Sequence, residues 1–384
     1  MTRLAKLHNA VNLSQGFPDF EAPQSIKDAA CGAIQAEQNQ YAPPYGTQAF
    51  REAIAGDFTR RYGVNLVADE QVTVCCGSTE AMMASMLSCI DPGDEVIVFE
   101  PFYENYGPDA ILAGAEPKYV RVREPDWRFD PDELARAFTN RTRAIVINSP
   151  NNPTGKVMTR DELQLTAGLC QKWDVLATSD EIYERIVFRG QAHVPMASID
   201  GMADRTITIG GLSKTYSVTG WRIGWAISPP ALTGGIRKLH DFLTVAAPTP
   251  FHDAGVAALS LPDEFYSNLA RDYEAKRNLM LDILGRHGFT AYKPSGAYYV
   301  MADVSPFGFS SDSEFAQYLV REIGVATVPG SSFYIDPATA PQTVRFCFSK
   351  RDETLHEADR RLARLSVRLR PEATAGQVTS GDKA

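Results

Sequence analysis

The sequence predicts an α/β fold: a large domain with a mostly parallel sheet covered by helices, joined to a smaller α+β domain. Three observations predict it. Between about residues 70 and 230, short apolar runs alternate with helical patterns, the order that a parallel sheet with crossover helices requires. Several of those runs are nearly continuous in apolar residues, as strands buried on both faces should be. Beyond about residue 263 the pattern changes to one long helical stretch, then two strand patterns with a helix between them.

Taken in order, residues 1–45 are rich in turns, with Gly16-Phe17-Pro18-Asp19 and Ala42-Pro43-Pro44-Tyr45-Gly46, and are expected to join the smaller domain. The large domain is expected over 46–270. Its strand runs are Val72–Cys76, Glu95–Phe99, Ala144–Ile147, Val175–Thr178, Thr206–Ile209 and Ile223–Ile227. Between them, Thr159–Trp173 reads as a helix. Thr159 and Glu162 have capping-box spacing, and Leu163, Thr166, Ala167 and Cys170 recur on one face. The smaller domain is expected over 271–370. The long helical pattern Asp263–His287 leads into it, and strands Tyr298–Val304 and Val344–Phe348 flank a helix at Ser313–Ile323. Residues 371–384 have little to bury and should be a loose tail.

Composition narrows the class. With 384 residues, 44% hydrophobic and 22% charged, the chain is ordinary globular material, not a disordered one. A net charge of −9 without a basic cluster argues against nucleic acid or an anionic membrane as partner. No apolar run approaches the ~20 residues of a membrane span. The start, Met1-Thr2-Arg3-Leu4-Ala5-Lys6, lacks the apolar core of a secretory signal, so a cytoplasmic protein is expected. The six cysteines include no C-x-x-C pair, and no histidine stands at ligand spacing from them, so no metal site is expected.

Ligands of open parallel sheets bind beyond the carboxyl ends of the strands. The residues just after each predicted strand are therefore informative. After Val72–Cys76 come Gly77, Ser78 and Thr79 opening a helix, a spacing that suits phosphate and also suits an ordinary cap. After Ala144–Ile147 comes Asn148-Ser149-Pro150-Asn151-Asn152-Pro153-Thr154-Gly155, whose amides can face a ligand. After Val175–Thr178 comes Ser179-Asp180-Glu181-Ile182-Tyr183, with a carboxylate at the strand end. After Thr206–Ile209 comes Gly210-Gly211-Leu212-Ser213-Lys214-Thr215-Tyr216, then Gly220-Trp221-Arg222-Ile223-Gly224. Converging, these supply a phosphate cradle, amides, a carboxylate, an amine and a second cation. That inventory suits pyridoxal 5′-phosphate: the amine for a Schiff base, the carboxylate for the pyridine nitrogen, the arginine and hydroxyls for the phosphate.

The same residues carry a family likeness. Asn12-Leu13-Ser14-Gln15-Gly16-Phe17-Pro18-Asp19-Phe20, Asn39-Gln40-Tyr41, Pro101-Phe102-Tyr103-Glu104-Asn105-Tyr106, Asn148–Gly155, Ser179–Tyr183, Ser213–Gly224 and Val344-Arg345-Phe346 span nearly the whole chain. In that order they resemble the fold-type I class I/II aminotransferases, closest to the branch of kynurenine aminotransferase, glutamine transaminase K and cysteine-S-conjugate β-lyase. The resemblance implies a pyridoxal phosphate enzyme that transfers amino groups between amino acids and 2-oxo acids. It implies Lys214 as the Schiff-base lysine and proton carrier, and Asp180 as partner of the ring nitrogen. Asn152 and Tyr183 would bind the ring hydroxyl and Tyr103 would stack on the ring. Gly77, Ser78, Thr79, Ser213 and Arg222 would hold the phosphate. Tyr41 would reach the phosphate of a neighbouring subunit, so a homodimer is expected. Arg345 would grip the substrate α-carboxylate, helped by Asn152 and the backbone near Gly16.

Three departures stand out. Gly211 replaces a serine that many relatives carry, which removes one phosphate hydroxyl. Relatives usually carry roughly two dozen residues before the segment that begins here at Thr2, so either a naturally short chain or a more open pocket mouth is expected. Val245-Ala246 stand where kynurenine-type relatives place Phe-His near the pocket, which weakens a specific aromatic claim; neutral substrates, whether aromatic, sulfur-containing or glutamine-like, are expected. The alternative chemistry on the same cofactor is β-elimination from a cysteine conjugate. A non-catalytic sensor module is disfavoured because no helix-turn-helix extension or basic arm is present, and a dinucleotide-binding dehydrogenase because no G-x-G-x-x-G comes after the early strands.

Overall fold

The computed structural model describes residues 1–365; the tail expected at 371–384 and the last five residues of the expected smaller domain lie outside them. The first strand, β1 (Val11–Asn12), precedes a large sheet of eight strands: β2 (Val72–Cys75), β3 (Glu95–Glu100), β4 (Glu116–Arg123), β5 (Arg128–Phe129), β6 (Thr142–Asn148), β7 (Leu176–Asp180), β8 (Thr206–Gly211) and β9 (Gly224–Ile227). Their order is β2-β9-β8-β7-β6-β3-β4-β5. Strands β8, β7, β6, β3 and β4 run parallel, while β9 runs antiparallel between β2 and β8.

The apolar runs form central strands because both of their faces are covered. Val96 and Val98 of β3, with Ala144 and Val146 of β6, face one cluster, which includes Met82 and Met86 of helix Ser78–Cys89. The intervening Ile97, Phe99, Ile145 and Ile147 face another, which includes Leu163, Ala167 and Cys170 of helix Arg160–Trp173. The period of two sends successive side chains to opposite layers, and burying each large one is worth roughly 1.5–3 kcal/mol. Strand β4 is not predicted by the apolar-run pattern. Its sequence, EPKYVRVR, alternates polar and apolar residues, and only Val120 and Val122 are buried.

Five further strands come after these: β10 (Thr290–Tyr292), β11 (Tyr299–Asp303), β12 (Val325–Ala326), β13 (Val328–Pro329) and β14 (Thr343–Cys347). Four of them form an antiparallel sheet in the order β10-β11-β14-β13, while β12 pairs in parallel with β1. This smaller sheet packs with helix Asp263–Arg286 around Tyr298, Val300, Phe307, Phe315 and Phe346. The helix expected at Ser313–Ile323 begins at Asp312, capped by Ser311. It widens into a π turn at Leu319–Ile323 before Gly324 ends it with φ +81°.

The capping box on helix Arg160–Trp173 is present. Thr159 Oγ1 accepts from the Glu162 N–H at 3.2 Å, and Glu162 Oε2 accepts from the Thr159 N–H at 2.8 Å. Thr159→Ala should lower stability by about 1 kcal/mol, read as a lower urea midpoint with unchanged slope. An unchanged midpoint would show that the cap contributes nothing here.

Candidate active site

Where the carboxyl edge of the large sheet meets the smaller one, a cavity of about 560 Å³ opens. Asn148 ends β6, Asp180 ends β7, and Ser213 and Lys214 come just after β8; all four line it, with Ser78 and Thr79 from the turn after β2. Because β9 runs antiparallel, it starts where its neighbours finish, and Arg222, two residues before it, reaches the same edge. Arg345 arrives from β14 and closes the far side.

Lys214 is half-buried and its Nζ donates to the Gly16 carbonyl at 3.2 Å. Burial pushes its ammonium down to about 8, opposed by nearby Cys347 and Asp180. Asp180 is buried and accepts from Tyr106 Oη at 2.7 Å and the Ile182 N–H at 3.1 Å. Burial raises its carboxyl, while those hydrogen bonds and Lys214 hold it down. Arg345 is buried as well. It donates from Nη1 to Asn152 Oδ1 at 2.6 Å and from Nη2 to the Ser14 carbonyl at 2.8 Å; its Nε has no partner. Its guanidinium lies 4.3 Å from the Tyr299 ring centroid and 4.8 Å from that of Phe333. Among the described residues, neither Asp180 nor Arg345 forms an ion pair.

At the turn after β2, two glycines allow layers to touch. A Cβ on Gly77 would lie 2.4 Å from an Arg222 guanidinium nitrogen, and one on Gly224 would lie 2.4 Å from the Gly77 carbonyl carbon and the Ser78 nitrogen. Helix Ser78–Cys89 follows Gly77 as its N-cap, with no side-chain cap to take its first N–H groups, and its first residues, Ser78 and Thr79, line the cavity. Gly211 has a steric reason to be glycine: a Cβ there would meet the Ile223 carbonyl oxygen at 2.9 Å.

These features fit pyridoxal phosphate. An amine, a buried carboxylate without a cation, a buried guanidinium without an anion and an open helix start with an arginine beside it share one cavity. Of the other expected residues, Tyr103 lines the cavity and Tyr183 lies beside Lys214, its hydroxyl 3.0 Å from that of Tyr299. The Gly16 carbonyl accepts from both Lys214 and Tyr298. Gly77 sits beneath the lining rather than in it. Tyr41 is 81% exposed and does not line the cavity of its own chain.

Val245-Ala246, expected near the pocket, does not line the cavity of its own chain. Val245 is exposed at the end of helix Pro230–Thr244, and within one chain that helix delivers Ala246 beside Cys76, outside the lining. The apolar lining includes Phe17, Val328, Pro329 and Phe333, and Met1 and Thr2 line the cavity as well. Sequence reasoning also missed roles for Tyr106 and Tyr299, and gave Asn148 only as an amide toward a ligand. Tyr106 closes the Pro101–Tyr106 stretch, Tyr299 reads as core in an apolar strand, and Asn148 links the strand ends, donating to the Asp180 carbonyl at 3.0 Å and accepting the Asn152 N–H at 2.8 Å.

Known proteins share this architecture. The family model described as aminotransferase class I and II matches residues 8–362. A probable N-succinyldiaminopimelate aminotransferase of Mycobacterium tuberculosis is 40% identical over 96% of this chain and 95% of its own length. The methionine aminotransferase of Escherichia coli is 35% identical over 95% of this chain and 94% of its own. The solved structure of N-succinyldiaminopimelate aminotransferase from M. tuberculosis superposes with a TM-score of 0.92, covering 94% of this chain and 95% of that one.

The contact between Gly224 and the 77–79 turn generates a test. Gly224→Ala should displace the turn and weaken pyridoxal phosphate binding by at least about tenfold, measured by absorbance titration of the apoprotein. Wild-type affinity in a folded variant would contradict this packing.

Proposed function

The chain belongs to the class I and II aminotransferases and uses pyridoxal phosphate, and from that premise we propose that it moves the α-amino group of a neutral amino acid to a 2-oxo acid. The observation that carries this reading is the placement of Lys214 in one cavity with Asp180 and Arg345. When bound, the cofactor supplies a carbonyl to take the amino group and a ring to accept electron density from the substrate Cα.

The chain's own residues do the rest. Lys214 Nζ would hold the cofactor and, when free, carry the proton to and from the substrate Cα; burial brings its ammonium down to about 8, so that it gives up its proton just above neutral pH. Asp180 keeps the ring nitrogen protonated. Asn152 and Tyr183 would bind the ring hydroxyl, and Tyr103 would stack on the ring. Ser78, Thr79, Ser213 and Arg222 hold the phosphate, with Gly77 allowing the close approach. Arg345 takes the α-carboxylate as a fork, with Asn152 and the Gly16 backbone beside it. Tyr41 reaches the phosphate of the neighbouring subunit of a homodimer. We propose a cytoplasmic location; among the described residues, no helix is long and apolar enough to cross a membrane.

Charge sets the substrate class. Among the described residues, the side-chain cations lining the cavity are Lys214, Arg222 and Arg345, and each already has a role. Among the described residues no further cationic side chain lines it for a second carboxylate, and Glu104 adds a negative group. The relative named as a methionine aminotransferase supports a neutral side chain. A second reading, an acylated diamino acid, is favoured by the likeness to the mycobacterial protein. A panel of methionine, glutamine, kynurenine, aspartate and N-succinyldiaminopimelate against 2-oxoglutarate separates the readings. Methionine, glutamine or kynurenine should give the highest kcat/KM; preference for aspartate or N-succinyldiaminopimelate would overturn the neutral assignment.

Lys214→Ala should abolish the visible absorption that develops on adding pyridoxal phosphate and cost at least ~10²–10⁴ in turnover. In the wild type, capture of the cofactor by apoprotein should accelerate with pH and level off above about 8, as the amine loses its proton. Near-wild-type turnover by the variant would remove Lys214 from its role. Arg345→Lys should lower kcat/KM for all amino acids together, by roughly 1.5–3 kcal/mol, because the α-carboxylate is common to them. A loss confined to dicarboxylates would place Arg345 elsewhere on the substrate.

A further inference from the structure

Behind the turn Cys76-Gly77-Ser78 a half-buried carboxylate meets a buried histidine, a pair that the proposed reaction does not touch. Glu80 Oε2 accepts the Cys76 N–H at 2.9 Å and lies 3.0 Å from His240 Nδ1. His240 is fully buried on helix Pro230–Thr244. Its Nε2 is 2.8 Å from the Pro44 carbonyl oxygen, which can only accept. Thr244 Oγ1 donates to the His240 carbonyl at 3.2 Å, leaving its oxygen free to accept from Nδ1 at 3.1 Å.

Every neighbour of the ring thus calls for a proton on it, so both nitrogens donate and the imidazole faces Glu80 as a cation. Glu80 and Asp241 favour that charge against the cost of burial. Across from it, His252 stays neutral: its Nδ1 accepts the Thr47 N–H at 3.4 Å, and burial plus the charge on His240 push it down to about 4. The other oxygen of Glu80 is buried beside the Cys75 thiol.

We propose that Glu80 and His240 are positioning residues for the phosphate. Glu80 ties down the Cys76 amide so that the turn presents Ser78 and Thr79, and His240 neutralises Glu80 so that its carboxylate does not repel a dianion. This rests on the phosphate lying at that turn, as the proposed function has it. The turn itself bears no titratable side chain besides Cys76, and Arg222 beside Gly77 is already used for the phosphate.

The test compares pyridoxal phosphate with pyridoxal, which lacks the phosphate, in absorbance titrations of the apoprotein. Wild-type protein should bind pyridoxal phosphate much more tightly; failure there would refute the phosphate assignment itself. His240→Gln should weaken pyridoxal phosphate by at least about tenfold while changing pyridoxal by less than about threefold. Adding Glu80→Gln to it should restore affinity to within about threefold of wild type. Should His240→Gln not fold, the Glu80 variants decide alone. Glu80→Gln keeps an acceptor for Cys76 and should stay within about threefold, whereas Glu80→Ala should lose at least about tenfold for the phosphorylated form only. Equal losses for both ligands, or Glu80→Ala binding as well as Glu80→Gln, would overturn the proposal. So would stoichiometric zinc in the purified protein, since Cys75, Glu80 and His240 would then serve a metal.

Discussion

Asp180 and Arg345 are opposite charges buried at one cavity, and neither is neutralised by an ionic partner among the described residues. Leaving a buried charge unpaired costs on the order of several kcal/mol, so a chain keeps such groups only where something else uses them. Each is held by neutral donors or acceptors instead: Tyr106 and a backbone N–H on Asp180, Asn152 and a backbone carbonyl on Arg345. The arrangement keeps both charges oriented and available. Burial is the main reason that the Lys214 ammonium is lowered to about 8; Asp180 favours its charge, while the Arg345 and Arg222 guanidiniums oppose it.

A cluster of tyrosines makes this tolerable. Tyr183, Tyr298 and Tyr299 meet edge to face or tilted, with centroids 4.9–5.9 Å apart, between the large sheet and the small one. Burial pushes their phenols up, that of Tyr299 to about 12, so they remain protonated donors. The Tyr299 ring face also lies beside the Arg345 guanidinium, giving it a partner that does not consume its hydrogen bonds. Gly16 fits against this cluster because a Cβ there would overlap the Tyr299 hydroxyl. A turn near the amino terminus is thereby locked to the carbonyl that receives Lys214.

The reversed strand β9 does comparable service on the phosphate side. In a wholly parallel sheet its preceding residues would lie at the opposite edge, some strand length away. Running antiparallel, it brings Arg222 alongside Gly77 and lays Gly224 against the Ser78 nitrogen. Helix Pro230–Thr244, next in the chain after β9, then returns over helix Ser78–Cys89 and carries His240 to Glu80.

Much of this is legible in the residue order. Doubly buried strands announce themselves by unbroken apolar runs, so β2, β3 and β6 to β9 can be placed within a residue or two, whereas β4 cannot, its alternation being that of a half-exposed strand. Lys214, Asp180 and Asn152 are candidates because polar groups directly after such strands have one edge to go to. Tyr106, Tyr299 and His240 carry no such signal: in sequence an aromatic or histidine on an apolar element looks the same whether it fills core or faces a charge. Nor does chain position say toward which cavity a helix end such as Val245-Ala246 points. The elements and the chemical inventory were thus set by the order of residues alone, because burial periodicity and residue type are local properties. It took the packed molecule to settle which charges stay unpaired, which phenols and imidazole support them, and which residues wall the cavity, because those depend on contacts between segments far apart in the chain, as Arg345 and Asn152 are.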